Sequence, residues 1–359
     1  MTLEDLGGWP YVLGRLSSGR DLTAEEAGAA LSDVFAGNAT PSQLAAFIFG
    51  LRCKGETVAE MTGMVQTMID AARPVPVSEG LRDQLVDTCG TGGDRSGTIN
   101  VSTIAAFVVA GAGVPVCKHG NRAQSSRAGS ADLLEVLGVA IDLGPEAVAA
   151  CIGEAGIGFC FAPRFHSSMR HAGPTRRELG VPTVFNFLGP LANPARVRRQ
   201  VVGVSDPTMA EKMIRVLEAN GALRAMVVFG HDGLDELTTA GPSTVLELRP
   251  ADGAAGGQDR LRRYQVDPEQ LGVARATRAD LVGADAATNA ESARRVLGGE
   301  KGPHRDIVLL NAAAGLMAAG RATDLAEGLK IAADSVDQGR AASRLQALAN
   351  VSQRLGVPA

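Results

Sequence analysis

Apolar residues fall into two regimes along the chain. Residues 1–72 read as helical throughout. Thr23-Ala24-Glu25-Glu26, Thr40-Pro41-Ser42-Gln43 and Thr57-Val58-Ala59-Glu60 each fit a capping box, in which the threonine hydroxyl and the residue three positions on satisfy each other's backbone N–H groups. Pro41 sits at a first helical position, where its missing N–H costs nothing. Leu44, Phe47, Ile48 and Leu51 follow the second cap at helical spacing, as do Met61, Met64, Val65, Met68 and Ile69 after the third. Each helix must bury an apolar face, against its neighbours or against a partner.

Arg73-Pro74-Val75-Pro76-Val77 breaks this pattern and reads as a linker. From Leu81 onward short apolar runs alternate with helical stretches. Strands are predicted at 85–89, 114–117, 139–141, 157–161, 183–187, 200–204 and 225–229, with helices near 101–112, 131–137, 145–154 and 206–219. Ser243–Leu248 and Leu261–Val266 flank the glycine-rich ADGAAGGQD and read as a hairpin, after which helices run from 285–297 to the carboxyl terminus. The expectation is an α/β fold: a small all-helical domain and a larger domain with a mostly parallel central sheet, whose ligands gather at the carboxyl ends of the strands.

Composition narrows the function. The 359 residues are 45% hydrophobic with a formal net charge of −4, enough for a substantial core and without general attraction to nucleic acid or an anionic membrane. No apolar run approaches the ~18 residues of a membrane span, and the start, MTLEDLGGWP, lacks a signal-peptide core. The cysteines Cys53, Cys89, Cys117, Cys151 and Cys160 show no CxxC spacing, so reduced thiols in a cytoplasm are expected, with Cys89 and Cys117 packing in the core.

The chemistry concentrates between Leu85 and Gly138. Two strand-loop-helix units lie there in succession: Leu85–Cys89 runs into Gly90-Thr91-Gly92-Gly93-Asp94, and Val114–Cys117 into Lys118-His119-Gly120-Asn121-Arg122. Small residues between a strand's end and a helix's start present free N–H groups and the positive end of the helix dipole. Glycines admit an anion's close approach. Lys118 and Arg122 add charge, and Thr91, Asn100, Ser102, Thr103, Ser125 and Ser126 add neutral hydrogen-bonding groups. The pair of loops suits a ligand with several phosphates. No Gly-Lys-Ser/Thr ends the first loop, and GTGGDR lacks the third glycine of a dinucleotide fingerprint.

Two further stretches carry polar chemistry. Phe159 to Asn193 holds Arg164, His166, Arg170, His171, Arg176 and Arg177, offset locally by Glu178 alone, and an arginine there suits a carboxylate through a two-pronged hydrogen bond. Val227 to Glu236 is a strand ending in a glycine turn followed by Asp235 and Glu236. Consecutive side chains diverge, so the pair is able to serve two Mg²⁺ ions bridged to substrate phosphates. The five histidines form no ligand cluster by spacing.

GTGGD, then NVST, then KHGNRA and SSRAGSAD, in that order, resemble the anthranilate phosphoribosyltransferase family of tryptophan synthesis. The likeness extends over most of the chain. It implies transfer of a phosphoribosyl group from phosphoribosyl pyrophosphate to anthranilate in a homodimer, with neither nucleic acid nor membrane as partner. It implies a phosphoribosyl pyrophosphate site of Gly90, Gly93, Asp94, Thr98, Asn100, Val101, Ser102, Thr103, Lys118, His119, Gly120, Asn121, Arg122, Ala123, Gln124, Ser125, Ser126 and Ser130. Gly90, Asn121 and Arg176 would face anthranilate, Lys118, Asn121 and Arg176 would carry the catalysis, and Ser102, Asp235 and Glu236 would bind magnesium, two ions in all. Residues 1–72 with about 164–182 would form the helical domain and dimer contact, and 73–163 with 183–359 the larger domain. His166-Ser167 departs from the family's His-Pro. A pyrimidine nucleoside phosphorylase and a nucleic-acid-binding relative share the architecture; KHGNR and Asp235-Glu236 argue against the first, Arg176, Asn121 and the acidic charge against the second.

Overall fold

The computed structural model describes residues 2–123, 127–250 and 260–356. Four helices open the chain: α1 (Gly8–Ser17), α2 (Ala24–Ala36), α3 (Pro41–Lys54) and α4 (Val58–Ala71). Thr23, Thr40 and Thr57 cap the last three, each through a complete capping box. α1 is not signalled by a cap: its N-cap is Gly7 in a left-handed conformation, and its apolar face is only Trp9, Val12 and Leu16.

After a short α5 (Glu79–Arg82) the chain enters a sheet of β1 (Val86–Gly90), β2 (Val116–Gly120), β3 (Ile157–Phe161), β4 (Arg199–Gly203), β5 (Arg224–Gly230), β6 (Ser243–Leu248) and β7 (Leu261–Val266). Their order is β3-β2-β1-β4-β5-β6-β7, parallel from β3 to β5 and antiparallel beyond. The chain builds outward from β1 to β3, then returns to lay β4 on the other side of β1. A crevice therefore opens beyond the carboxyl ends of β1 and β4, the place where such sheets bind ligands.

One sheet face carries α6 (Val101–Gly111), α7 (Ser130–Val136), α8 (Pro145–Ala155), α13 (Ala286–Leu297), α14 (Pro303–Ala319), α15 (Leu325–Asp337) and α16 (Arg340–Gly356). The other carries α12 (Pro207–Ala219), whose Met209, Met213 and Ile214 join one apolar cluster with Phe47 and Met61 of the opening helices. The stretch after β3 forms α9 (Ala162–Phe165), a 3-10 turn at Ser167–His171, α10 (Gly173–Leu179) and α11 (Phe185–Leu188). α10 packs on α3, and the 3-10 turn on α2.

Two expected strands are absent. At 139–141 the backbone joins no strand: Val139, Ile141 and Leu143 are buried in alternation, but the Val139 N–H donates to Leu134 O at 2.9 Å and the Ala140 N–H to Ser352 Oγ of α16 at 3.0 Å. Strand-like burial is achieved there against a helix. At 183–187, Thr183 and Asn186 close a turn on each other, and α11 follows. Among the described residues no helix is long and apolar enough to cross a membrane.

Candidate active site at the sheet crevice

The first glycine turn is pinned between β4 and the segment after β5. The Thr91 N–H donates to Gly203 O at 2.9 Å and the Gly92 N–H to Asp235 Oδ2 at 2.8 Å. A Cβ on Gly90 would sit 2.5 Å from that same carboxylate oxygen, so only glycine fits there. Ser205, just past β4, donates twice: its N–H reaches Thr91 Oγ1 at 3.1 Å and its hydroxyl Gly92 O at 2.8 Å.

Glu236 faces the other way. Its Oε1 accepts the Ser102 N–H at 3.1 Å, in the first turn of α6. The neighbouring carboxylates thus address two different loops, Asp235 the glycine turn and Glu236 the helix start. Burial, with Asp94 close by, pushes Asp235 up to about 7. Burial and then Asp235 itself push Glu236 well above the usual carboxylate range. Lys118 is the counter-charge: buried on β2, it donates to Thr88 O and lies 3.5 Å from Ser102 Oγ. Three crowded acids sharing one ammonium are short of positive charge.

Beneath them Asp87 of β1 is fully buried, accepting from the His119 N–H at 3.1 Å and from Asn193 Nδ2 at 2.8 Å. Burial outweighs these donors and Lys118 and raises its pKa to about 6. Asn193 also donates to Cys117 O at 2.9 Å, tying the 189–196 turn to β1 and β2 together.

The second loop turns at Asn121, whose backbone oxygen accepts from the Ala131 N–H and from Ser130 Oγ, both at 3.2 Å. Asn121 Oδ1 accepts the Arg122 N–H at 2.8 Å. The Arg122 guanidinium is held by Asp132 at 2.8 Å and Glu135 at 2.5 Å, so its charge is matched within α7. Gln124, Ser125 and Ser126 lie outside the described residues. Asn100 bridges the loops: it donates to Ala128 O and accepts from Asn289 Nδ2, each at 3.0 Å. Thr98 pairs with Val282 as an isolated bridge, and Val101, Ser102 and Thr103 open α6. Gly93 holds a positive φ of 81° at the exposed turn.

Arg176 is half-buried on α10, and its side chain has no hydrogen bond or ion pair among the described residues; its guanidinium lies over the Phe185 ring at 5.2 Å. Burial holds its pKa below the ordinary arginine value. A desolvated guanidinium stacked on an aromatic face and lacking an anion is prepared for a planar carboxylate. The rest of the basic cluster is dispersed, with Arg164 paired to Asp142 at 3.4 Å. His119 and His166 lie with ring centres 5.1 Å apart and planes tilted by 50°, both with an unpartnered buried Nε2, and burial depresses both. Among the described residues no three His, Cys, Asp or Glu side chains converge as a metal cage. Hard carboxylates on one rim, with substrate phosphates supplying the other oxygens, are what Mg²⁺ ordinarily takes.

Asp87, Asn193, Ser205 and Asn289 were not singled out by the sequence. Asp87 precedes the glycine turn by three residues and carries a charge inside a buried strand, which is a usable signal. The others are single polar residues whose role rests on partners distant in sequence: Asp87 for Asn193, Thr91 and Gly92 for Ser205, and Asn100 for Asn289.

Residues 82–342 match a glycosyl transferase family α/β domain, and residues 10–72 the helical bundle domain of the same family. An anthranilate phosphoribosyltransferase of Roseiflexus castenholzii is 52% identical over 335 residues, covering 93% of this chain and 95% of the relative. The chain belongs to the anthranilate phosphoribosyltransferase family. The family member from Thermomicrobium roseum is 51% identical, covering 96% of this chain and 97% of its own. The crystal structure of the anthranilate phosphoribosyltransferase of Thermus thermophilus superimposes with a TM-score of 0.87 at 42% identity, over 95% of this chain and 99% of that one. The Saccharomyces cerevisiae enzyme in complex with PRPP and Mg gives 0.86 at 25% identity, over 97% and 98%. The same yeast enzyme has also been seen with 4-fluoroanthranilate.

Proposed function

We propose that this protein transfers the 5-phosphoribosyl group of phosphoribosyl pyrophosphate to the amine of anthranilate, releasing pyrophosphate. The bond from the anomeric carbon to the pyrophosphate oxygen breaks, the C–N bond forms, and the amine proton leaves to solvent. An aniline nitrogen is neutral and nucleophilic near pH 7, so positioning and stabilisation of the leaving diphosphate are the main demands. Lys118 supplies fixed positive charge there, beside the Gly92 and Ser102 N–H groups, which Asp235 and Glu236 hold in this structure. Bound by Asp235, Glu236 and Ser102, two Mg²⁺ ions would neutralise the diphosphate. Gly90, Gly93, Asp94, Thr98, Asn100, Val101, Thr103, residues 118–126 and Ser130 complete the donor site. Gly90, Asn121 and Arg176 hold the acceptor.

The observation that carries this reading is the unpaired guanidinium of Arg176 over Phe185. An acceptor with a carboxylate beside an aromatic ring matches it; a neutral pyrimidine does not. The protein assembles as a homodimer through the helical domain, residues 1–72 with about 164–182, where Phe49 of α3 is 49% exposed. Its five free thiols fit a reducing cytoplasm. The test is one turnover assay: loss of anthranilate fluorescence with phosphoribosyl pyrophosphate, with and without Mg²⁺. Turnover only when all three are present is expected. Turnover of thymidine and phosphate instead would replace this reading.

A further inference from the structure

Arg52 lies near the end of α3, on the side of that helix turned toward the sheet domain. Its guanidinium is gripped from three directions. The Phe187 ring lies under it at 5.6 Å, Glu56 Oε2 stands behind it at 3.6 Å, and Asp206 Oδ2 accepts from it at 3.1 Å. Glu56 is buried and its other oxygen has no partner, so its charge is committed to Arg52. Asp206 divides its oxygens: Oδ1 caps α12 through the Thr208 N–H at 3.0 Å, which leaves Oδ2 for Arg52.

The residue before Asp206 is Ser205. It holds Thr91 Oγ1 through its N–H and Gly92 O through its hydroxyl. Arg52 of the helical bundle is thus two steps from the turn that grips the diphosphate, without touching it. We propose that Arg52 is a positioning residue, which sets the first phosphate turn from the helical bundle through Asp206 and Ser205. The bundle is then part of the donor site's definition as well as a wall for the acceptor.

The fold does not depend on the Arg52–Asp206 contact, but Arg52 is also the counter-charge of buried Glu56, so Arg52 and Glu56 must be changed together. Arg52 and Asp206 side chains are 33% and 27% exposed, and pairs this accessible contribute little to global stability. Two variants cut the link gently. Arg52→Gln, made together with Glu56→Gln and counted as one variant so that no buried carboxylate is left unpaired, removes the guanidinium, and Asp206→Asn keeps an N-cap for α12. Amide hydrogen exchange on the unliganded protein reads the turn directly. Exchange at Gly92 and Ser205 should quicken about fivefold in each variant, as loss of a partly exposed ion pair allows. The double variant should be no faster than the quicker single, because both changes cut one connection. Val227 in β5 should keep its wild-type rate. Wild-type rates at Gly92 and Ser205 in both variants would overturn the proposal. So would an acceleration shared by Val227, which would mean general loosening. A kinetic arm rests on the functional reading above: the KM for phosphoribosyl pyrophosphate should rise about fivefold with the anthranilate KM unmoved. If wild type fails to turn over, that reading fails, while the exchange result still decides the role of Arg52.

Discussion

A Cβ on Gly203 would lie 1.6 Å from the main-chain oxygen of Asp235. Gly90, its register partner on β1, meets the side chain of the same aspartate. Two glycines on adjacent central strands therefore clear the space in which the acidic segment after β5 rests on the sheet. Gly203→Ala must push Asp235 and Glu236 off the rim, because the obstacle is backbone. Overpacking of this kind costs about 1–3 kcal/mol of stability. Turnover should fall more steeply, by about a hundredfold, since a displacement of an ångström suffices for that. Thermal denaturation beside a Mg²⁺ titration of activity checks both; a variant that turns over normally would mean that the rim tolerates the shift.

Asp235→Asn combined with Glu236→Gln should abolish Mg²⁺-dependent turnover, to below about a thousandth of wild type. The fold should survive. Both carboxyls are pushed up by burial, so their neutral amides suit the surroundings at least as well as the charged acids. The melting temperature of the metal-free double variant should equal or exceed that of wild type, whereas chelation of Mg²⁺ from wild type should stop turnover without melting it. Full activity in the double variant would discard the metal assignment.

Arg176→Ala should raise the anthranilate KM by about ten- to a hundredfold, the worth of a charge-assisted pair of hydrogen bonds. The donor KM should move less, because among the described residues the Arg176 side chain makes no hydrogen bond to either glycine turn. Steady-state kinetics with each substrate varied in turn separates the two. An unchanged anthranilate KM would remove Arg176 from the acceptor site.

Asp87 gives a pH signature. Its carboxyl titrates at about 6 in the folded protein against 3.8 in an ordinary setting. The folded state therefore holds the proton more tightly, and this contribution is complete below pH 3.8 and lost as pH rises through 6. The free-energy difference between wild type and Asp87→Asn should fall by about 3 kcal/mol across that window, two pKa units at 1.36 kcal/mol each, and stay level above it. Urea unfolding of both proteins between pH 4 and 7.5 measures it. A pH-independent difference would show that Asp87 stays ionised throughout, held by Asn193 and Lys118.

The parts of this molecule that are local were readable from the residue order. Threonine caps announced α2, α3 and α4, and glycine turns after apolar runs announced β1 and β2, because each depends on neighbours a few positions away. Val139 to Leu143 misled because alternation reports which side chains are buried and says nothing about what the backbone bonds to. The run at 183–187 misled because an apolar segment this short suits either a strand or one helical turn. At the site, charge and glycine content pointed to the two loops and to Asp235-Glu236. The pattern did not disclose that Arg122 is neutralised by Asp132 and Glu135, since those acids look like ordinary exposed residues of α7. Nor did it disclose Asn289, which braces Asn100 from 189 positions away.

The reversal of direction at β6 sets its two ends at opposite margins of the sheet. Ser243 and Val266 lie level with Gly230, beside the rim, while Leu248 and Leu261 lie level with the beginning of β5 at the far margin of the sheet. Leu248 and Leu261 pair with each other at the sheet margin opposite Gly230 and the Asp235–Glu236 segment. An affinity tag or a fluorescent reporter spliced in between these two paired residues should leave turnover as it was.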